Sequence, residues 1–277
     1  MTQQAVLIAQ ISDLHIKAQG KLSYRKVDTL GALHKMIARL NSLDPRPDAV
    51  VITGDLVDFG REEEYQTLKE ALKSLTLPFW LMAGNHDDRQ SLRRVFADQP
   101  YLYQHPEFIQ WQGECGPLRL LALDSTVPQQ SRGELCEQRL SWLANRLEEQ
   151  PSRPTLVMLH HPPFISGIEH MDRQRLDNPQ RLAEVLARHH QVERVLCGHV
   201  HRSMQVAFAG TVACSAPGAS HQVAFDLRPD GPAQFCLEPA GFLLHRWTPD
   251  QGVITHQCVV DRFDGPFPFY DANGLID

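Results

Sequence analysis

Side chains that bind metal ions recur in five short motifs of this 277-residue chain. The motifs are Asp13-Leu-His15, Gly54-Asp55, Gly84-Asn85-His86-Asp87, His160-His161-Pro-Pro and Gly198-His199-Val-His201. Carboxylate, imidazole and carboxamide groups bind borderline divalent metals, and the absence of cysteine from the motifs argues against copper(I) or iron–sulfur chemistry. The sequence therefore predicts a site for two metal ions, built from residues scattered between positions 13 and 201.

The spacing within two of the motifs favours shared ligation. Asp13 and His15 are two residues apart, as are His199 and His201, so in extended backbone both members of a pair point to the same side. Asp55 carries two oxygens and could bridge two cations. Each acidic motif also has a simpler explanation, in which Asp13 caps the turn after a strand and Asp55 is an ordinary Gly-Asp turn residue.

The third motif offers a ligand and a proton donor. The Asn85 carbonyl oxygen can bind a metal without adding charge, and the alternative is an ordinary Asn-His turn. We expect His86 to face the site and to hydrogen-bond or protonate a reacting group, with Asp87 orienting its imidazole. Asp58, which follows the second motif closely, is expected to be a local turn residue and is excluded from the ligands.

Only one of the two adjacent histidines in the fourth motif is expected to bind metal. Neighbouring residues of a strand point to opposite faces, so His160 and His161 cannot both point to the same site. We choose His160.

Short apolar stretches precede most of these motifs and are expected to position them. Six such stretches, at 5–11, 49–53, 79–82, 118–123, 155–159 and 192–197, are typical of strands that are covered on both faces. Between them, apolar residues recur at helical spacing in 27–40, 65–75, 135–147 and 182–186. Alternating strands and helices predict an α/β fold, in which ligands bind beyond the carboxyl ends of the strands.

The composition sets limits on partners and location. Hydrophobic residues make up 42% and charged residues 22%, which is ordinary for a soluble globular protein, and the net charge of −6 gives no reason to expect a nucleic-acid polymer as partner. No run approaches the roughly 18 apolar residues of a membrane span, and no signal peptide is recognised. The six cysteines show no CxxC spacing, so we expect free thiols and a cytoplasmic location, with an intersubunit disulfide left open.

The five motifs together resemble the signature of the calcineurin-like metallophosphoesterases. His160-His-Pro-Pro, Pro217-Gly-Ala-Ser-His221-Gln and Gly265-Pro-Phe-Pro-Phe-Tyr-Asp271 look most like the class III cyclic nucleotide phosphodiesterases and, among these, the bacterial glycerophosphodiesterases. The resemblance covers the whole chain. It implies a four-layer α/β/β/α sandwich with a C-terminal β-rich cap or extension.

The resemblance also implies roles for the motif residues. One metal would be held by Asp13, His15, Asp55 and His201, and the other by Asp55, Asn85, His160 and His199, as two ions drawn from iron, manganese, zinc and cobalt. Two such ions lower the pKa of a shared water, so the expected activity is hydrolysis of small phosphodiesters, either 3′,5′-cyclic nucleotides or glycerophosphodiesters. His86, His221 and Tyr24 are the expected substrate contacts, and the alternative for His221 is a surface position in a Gly-Ala-Ser loop.

The chain after the last motif becomes rich in predicted strands. We expect residues 1–216 to form the catalytic core and 217–277 a C-terminal extension. The early members of the late strands, at 206–208 and 211–215, are expected to help complete a second sheet, and the later members are expected to cap the site. By resemblance this extension serves substrate enclosure and a homo-oligomer, as a dimer or a larger assembly. The alternatives are a phosphatase or nuclease of the same superfamily, or a non-catalytic scaffold, which would be expected to lose metal ligands.

Overall fold

The computed structural model describes residues 5–276, which form fifteen strands and six α-helices. The strands are β1 (Val6–Ile11), β2 (Ala49–Ile52), β3 (Phe79–Leu81), β4 (Trp111–Cys115), β5 (Leu118–Leu123), β6 (Thr155–Leu159), β7 (Val192–Cys197), β8 (Met204–Phe208), β9 (Thr211–Ser215), β10 (Gln222–Val223), β11 (Phe235–Cys236), β12 (Gly241–Thr248), β13 (Gly252–Val259), β14 (Tyr270–Asp271) and β15 (Gly274–Leu275). The helices are α1 (Thr29–Asn41), α2 (Glu62–Leu72), α3 (Arg89–Val95), α4 (Glu137–Glu149), α5 (Glu169–Asp172) and α6 (Pro179–Leu186).

Two mixed sheets form the centre of the fold. The first has the order β13-β12-β1-β2-β3, and the second has the order β4-β5-β6-β7-β9-β8. The central strands are parallel: β1 pairs with β2 in the first sheet, and β6 pairs with both β5 and β7 in the second. The carboxyl ends of these strands therefore lie at the same edge of each sheet. Two small ribbons, β10-β11 and β14-β15, stand apart from these sheets.

Alternation along the buried strands produces four layers. In β1, Ile8 belongs to the core between the two sheets, whereas Ile11 packs towards α1 and α2. In β5, Leu120 lies between the sheets and Leu121 packs towards α4 and α6. Because side chains point to opposite faces in turn, an unbroken apolar strand requires cover on both sides, which helices supply on the outside and the partner sheet on the inside. The predicted α/β/β/α sandwich is confirmed.

The elements that the sequence analysis did not predict are the least regular ones. β4 buries only its end residues, Trp111 and Cys115, and contains Gly113, so it lacks the apolar run by which the other strands were recognised. The seven-residue α3 buries only Leu92 and is capped by Asp88, whose carboxylate accepts a hydrogen bond from the Ser91 backbone N–H. No helix among residues 5–276 combines the length and the apolar character that crossing a bilayer requires.

The C-terminal strands lie differently from the expectation. β8 and β9 complete the second sheet as expected, but β12 pairs with β1 and β13 with β12, so these later strands extend the first sheet and do not cap the site. The core between the sheets takes Leu243, Trp247 and Val253 from them, and this burial explains their position. The division at residue 216 stays a prediction.

Candidate metal centre

The seven predicted ligands converge at the carboxyl ends of strands from both sheets. Asp13 follows β1, Asp55 follows β2 and Asn85 follows β3 in the first sheet, while His160 follows β6 and the pair His199 and His201 follows β7 in the second. Backbone hydrogen bonds join the loops, since Asp13 N–H donates to the Gly54 carbonyl at 3.1 Å and Gly198 N–H to the His160 carbonyl at 2.9 Å. All seven predicted ligands are therefore in one region, as the α/β topology requires.

One group of these side chains surrounds His201. The Nε2 atoms of His15 and His201 are 3.1 Å apart, and His201 Nε2 lies 3.4 Å from Asp13 Oδ1. The Asp13 carboxylate also accepts hydrogen bonds from the His199 backbone N–H at 3.0 and 3.1 Å. The ligand atoms of Asp13, His15 and His201 are buried and near enough to one another to hold one ion.

A second group surrounds His160. Its Nε2 atom lies 3.2 Å from Asn85 Oδ1, and its Nδ1 atom donates to the Thr53 carbonyl at 2.8 Å. Since Nδ1 is engaged in this bond, Nε2 is the nitrogen that would bind a metal after losing its proton. A ring nitrogen of His199 completes the group, within 4.8 Å of a ring nitrogen of His160.

Asp55 lies between the two groups. Its Oδ2 atom is 3.6 Å from His15 Nε2 and 3.4 Å from His160 Nε2, while its Oδ1 atom accepts a hydrogen bond from the His86 backbone N–H at 3.0 Å. One carboxylate oxygen thus faces nitrogens of both groups, which is the position that a bridging ligand must occupy.

The spacing and the unpaired polar atoms fit a pair of metal ions. Nitrogen ligands about 2.1 Å from an ion lie roughly 3 to 3.4 Å from each other in regular coordination geometry, close to the separations found here. Among the residues that the structure describes, buried His199 Nε2 has no hydrogen-bond partner. A buried nitrogen without a partner costs free energy, and a bound cation would relieve that cost.

The backbone at the site is left-handed at five of the proposed ligands. It differs from the extended backbone that was expected for the pairs Asp13/His15 and His199/His201. Asp13, His15, Asp55, His199 and His201 all have positive φ angles, between 46° and 70°. Residues other than glycine rarely adopt this left-handed backbone conformation. Strained backbone of this kind concentrates at functional sites. The members of each pair meet through left-handed turns and not through the extended backbone that the two-residue spacing suggested.

Two glycines allow the loops to approach one another. A Cβ atom on Gly84 would lie 2.2 Å from Asp55 Oδ1, and one on Gly198 would lie 2.1 Å from Ser12 Oγ. Real Cβ atoms do not come this close to their neighbours. Both positions therefore require glycine because of packing against the cluster.

The charges of the buried groups are coupled. Burial lowers the pKa of His160, but the neighbouring Asp55 carboxylate outweighs burial and raises it to about 9. Burial raises the pKa of Asp55, and the His160 and His86 imidazoles bring it well below its usual range. Burial and the nearby His15 lower the pKa of His201 to about 3. Asp55 is thus an anion, and His201 has the neutral form that binds metals.

His86 and Asp87 do not form the predicted pair. The Asp87 carboxylate accepts hydrogen bonds from the Gly84 N–H at 2.8 Å and from the Tyr65 hydroxyl at 2.9 Å, and it holds the loop in place. His86 Nδ1 instead meets the backbone carbonyl of Asp58 at 2.8 Å. The prediction that Asp87 orients His86 is wrong, because the turn points the carboxylate inwards and away from the imidazole.

The choice between the adjacent histidines agrees with their contacts. His161 has partners at both ring nitrogens, Ser125 Oγ at 2.8 Å and the Ser131 carbonyl at 3.1 Å. Burial and the neighbouring His160 lower the pKa of His161 to about 3. His161 therefore belongs to the supporting hydrogen bonds, and His160 is the residue that faces Asp55 and Asn85.

A cavity of about 380 Å³ opens above the cluster. His221 lies against the metal-site imidazoles, with its ring centroid 4.7 Å from that of His201, and Tyr24 lies 5.4 Å from His221. Phe235 of the β10-β11 ribbon contacts both Tyr24 and His221. The structure therefore places the predicted substrate contacts Tyr24, His86 and His221 in the cavity wall.

Further residues line the cavity that the sequence analysis did not assign as substrate contacts. His170 and Gln174 come from the segment around α5, and Gln234 precedes β11. The polar composition of the segment 166–177 was the available signal, but it could not show which side chains face inwards. Asp58, which was expected to be only a turn residue, lies beside the cluster, with its Oδ1 atom 3.3 Å from His15 Nδ1, and Lys17, which was not singled out, lies 3.0 Å from Asp58 Oδ2.

Comparisons with known proteins agree with this geometry. A family model described as calcineurin-like phosphoesterase matches residues 6–203. A relative from Arcobacter nitrofigilis, named probable glycerophosphodiester phosphodiesterase GpdQ, is 42% identical over 274 residues, which are 98% of this chain and 100% of the relative. A relative from Rhodopseudomonas palustris, named probable cyclic nucleotide phosphodiesterase, is 34% identical over 269 residues, which are 96% of each chain.

A solved structure supports the fold at lower sequence similarity. A dimetal phosphatase from Danio rerio aligns with a TM-score of 0.64 and 15% identity, covering 92% of this chain and 99% of that protein. At this level of identity the match shows that the architecture is shared.

Proposed function

The chain belongs to the calcineurin-like phosphoesterase family, and we propose that it is a dinuclear-metal-dependent phosphodiesterase that acts on small phosphodiesters. The observation that carries the proposal is the position of Asp55 Oδ2, which lies within 3.6 Å of ring nitrogens in two separate groups of metal-binding residues. A scaffold without catalytic activity has no need for such a buried and strained arrangement.

Each group has the residues to hold one ion. The first comprises Asp13, His15 and His201 and the second Asn85, His160 and His199, with Asp55 shared between them. Two bound divalent ions would activate a water molecule near neutral pH and offset charge on the phosphoryl oxygens. The donor set of nitrogen and oxygen atoms suits manganese, iron, zinc or cobalt.

His86 supplies the proton chemistry in this proposal. Its Nδ1–H donates to the Asp58 carbonyl, which leaves Nε2 to face the cavity. From there, His86 could hydrogen-bond a phosphoryl oxygen or, when protonated, donate its proton to the departing alkoxide. His221 lines the same cavity, with its ring centroid 5.6 Å from that of His15, and in this proposal it contacts the substrate.

The cavity favours a small substrate whose alcohol part carries no negative charge. Its volume is about 380 Å³, and the described residues that line it include no lysine or arginine to bind a second anionic group. Glycerophosphodiesters and 3′,5′-cyclic nucleotides both meet this condition, and relatives of this chain are named for each. A polymeric nucleic acid would need a basic track, which the cavity wall does not offer.

The test is turnover by the metal-free and reconstituted protein. After removal of metals with a chelator, we would add manganese, iron, zinc or cobalt and compare glycerophosphoethanolamine, 3′,5′-cyclic AMP and bis(p-nitrophenyl) phosphate. We expect activity on all three only after reconstitution, with two ions bound per chain. Binding of two ions without turnover of any diester would contradict the proposal.

The location and the assembly belong to the same proposal. All six cysteines are free thiols, which supports a reducing, cytoplasmic environment. Phe263, Phe267 and Phe269 are each more than two-thirds exposed in the C-terminal segment, which supports a homo-oligomer. Light scattering of the purified protein tests this part, and a monomer at micromolar concentration would contradict it.

A further inference from the structure

A second cavity, of about 510 Å³, meets the candidate metal centre at Asn85. Among the residues that the structure describes, Asn85 is the one that lines both this second cavity and the first cavity, the space of about 380 Å³ above the cluster. Its Oδ1 atom lies 3.2 Å from His160 Nε2, so Asn85 also belongs to the second group of proposed ligands. Two separate spaces therefore adjoin one proposed ligand of the metal centre.

The second cavity is bordered by segments that are fastened to one another. It lies between the start of α3, the chain before β4 and the loop 126–129 after β5. Arg89 of α3 pairs with buried Asp124 at 2.6 Å and donates to Thr126 Oγ1 at 2.9 Å. Because this ion pair holds the loop against the helix, the cavity is formed before any ligand binds, as is usual for ligand sites.

The charges around the second cavity favour a cation. Asp88 and Glu107 are exposed residues of its wall, and each adds a carboxylate. The charge of Arg89 is offset by its ion pair, and Arg93 donates hydrogen bonds to four backbone carbonyls. No lysine lines this cavity in the described part of the chain. The wall can therefore attract an ammonium group.

The first cavity has a different lining. Gln174 and Gln234 bring carboxamides to its wall, next to the metal-site imidazoles. A carboxamide both donates and accepts hydrogen bonds, which suits the hydroxyl groups of a polyol. The two cavities are thus complementary to different alcohols.

The two substrate classes of the proposed function use such cavities differently. In an acyclic phosphodiester each ester oxygen carries its own alcohol arm, so the arms can enter separate spaces. In a 3′,5′-cyclic nucleotide both ester oxygens belong to one ring system, which cannot divide in this way. A pair of cavities that meet at Asn85 therefore fits an acyclic diester.

We propose that the second cavity is a subsite for one alcohol arm of an acyclic phosphodiester, and that this arm is a small amino alcohol whose ammonium group faces Asp88 and Glu107. The other arm, a polyol, occupies the first cavity. The inference rests on the proposed function and selects the acyclic diesters from the two classes named there.

Filling the second cavity tests the subsite. In Gln90→Trp, on α3, we expect the ratio of kcat/KM for glycerophosphoethanolamine to kcat/KM for 3′,5′-cyclic AMP to fall about 10-fold, because the arm is excluded. Gln129→Trp fills the same cavity from the loop after β5 and should lower the ratio similarly, which also serves if the first variant does not fold. Gln66→Trp is the matched control, because Gln66 is an exposed glutamine of α2 that lines neither cavity.

Reversing one charge tests the kind of arm. In Glu107→Lys the preference for glycerophosphoethanolamine over the uncharged diester glycerophosphoglycerol should fall about two- to five-fold, the size expected for an exposed ion pair. Glu63→Lys, at an exposed position of α2 outside both cavities, is the control and should keep the preference.

Binding can be measured apart from turnover. In zinc-loaded His86→Ala, glycerophosphoethanolamine should shift the side-chain amide NMR signals of Gln90 and Gln129 as well as those of Gln174 and Gln234. Cyclic AMP should shift only the signals of Gln174 and Gln234, since its single ring system stays in the first cavity.

Three results would overturn the inference: an unchanged ratio in both tryptophan variants, an unchanged preference in Glu107→Lys, or no shift of the Gln90 and Gln129 signals with the acyclic diester. Wild-type protein that binds two ions and hydrolyses no diester would instead refute the proposed function, and the NMR measurement would then still decide whether the second cavity binds the arm.

Discussion

Two groups of buried polar side chains lie within the same pair of sheets, and they differ in how completely they are paired. Both ring nitrogens of His245 have a hydrogen-bond partner: Nδ1 lies 2.9 Å from Thr255 Oγ1, and Nε2 lies 3.1 Å from Gln10 Oε1. The Gln10 amide donates in turn to Thr53 Oγ1 at 3.0 Å and to the Cys197 carbonyl at 2.8 Å. Gln10, His245 and Thr255 lie in regular strands of the first sheet, Cys197 ends β7 of the second sheet, and Thr53 directly follows β2.

The candidate metal centre shows the opposite features. Imidazole nitrogens face one another at hydrogen-bonding distance, His199 Nε2 has no partner among the described residues, and five of the seven proposed ligands have left-handed backbone. The comparison teaches that burial of a polar group does not by itself indicate function. A complete set of partners indicates a structural role, whereas unpaired atoms on strained backbone indicate a site prepared for a ligand.

The largest effect expected is that of Asp55→Ala. This change removes the one carboxylate that faces both groups, so we expect the loss of both ions and a fall in kcat on the order of 10³-fold or more, since metal catalysis contributes several kcal/mol. Metal analysis and turnover of bis(p-nitrophenyl) phosphate measure it. Two ions retained per chain in this variant would remove Asp55 from the bridging position.

His86→Ala separates metal binding from proton transfer. We expect both ions to be retained and turnover to fall by about 10²-fold or more for alkyl leaving groups, because a general acid contributes most when the departing alkoxide is strongly basic. The fall should be smaller for p-nitrophenol as leaving group. An unchanged rate on an alkyl diester would exclude His86 from the mechanism.

Asn85→Ala should affect metal binding by the group around His160 more than metal binding by the group around His201. A neutral carboxamide is the weakest ligand of the set, so the second group should lose its ion more readily than the first, with occupancy falling at metal concentrations that saturate the wild type. Titration with manganese followed by metal analysis measures this. Full retention of both ions at limiting metal would contradict the assignment of Asn85 as a ligand.

The smallest expected effect is that of His245→Gln, in the fully paired group, on the free energy of unfolding. Burial and then Arg194 lower the pKa of His245 to about 3, whereas unfolded histidine titrates near 6.5. The unfolded chain therefore binds the proton first, and stability is lost as the pH falls below about 6.5, by about 2 kcal/mol between pH 7 and pH 5. In His245→Gln this contribution should disappear.

Denaturant unfolding at pH 7 and pH 5, with wild type and His245→Gln compared in the same buffers, measures the difference. Other histidines contribute equally to both proteins and cancel. If the free energy of unfolding fell equally in both proteins between pH 7 and pH 5, His245 would not be a buried neutral histidine with a lowered pKa.

The sequence located the proposed ligands because their chemistry and their places at strand ends are both local properties. Asp13 and Asp55 stand directly after apolar strands, and the parallel order of those strands brings their ends together whatever the details of the loops. The left-handed turns at these residues were not predicted, because the two-residue spacing is compatible with either backbone. Likewise, nothing near Asp87 in the sequence tells which way its carboxylate turns.

The position of β12 was missed for a different reason. Its pairing with β1 joins Leu243 to Gln10, which are separated by more than 230 residues. A strand that alternates apolar residues can cover a site or extend a sheet equally well from its sequence. The choice depends on which sheet has a free edge and an uncovered core, and these are properties of the whole folded chain.

The close contacts of Gly84 and Gly198 have a consequence for mutational scanning. A single methyl group at either position collides with the ligand loops, so an alanine there should abolish activity although neither residue takes part in the reaction. A scan that scores only activity would place these glycines beside the catalytic residues. Measuring protein abundance and metal content in the same library would separate residues that perform the chemistry from residues that only leave space for it.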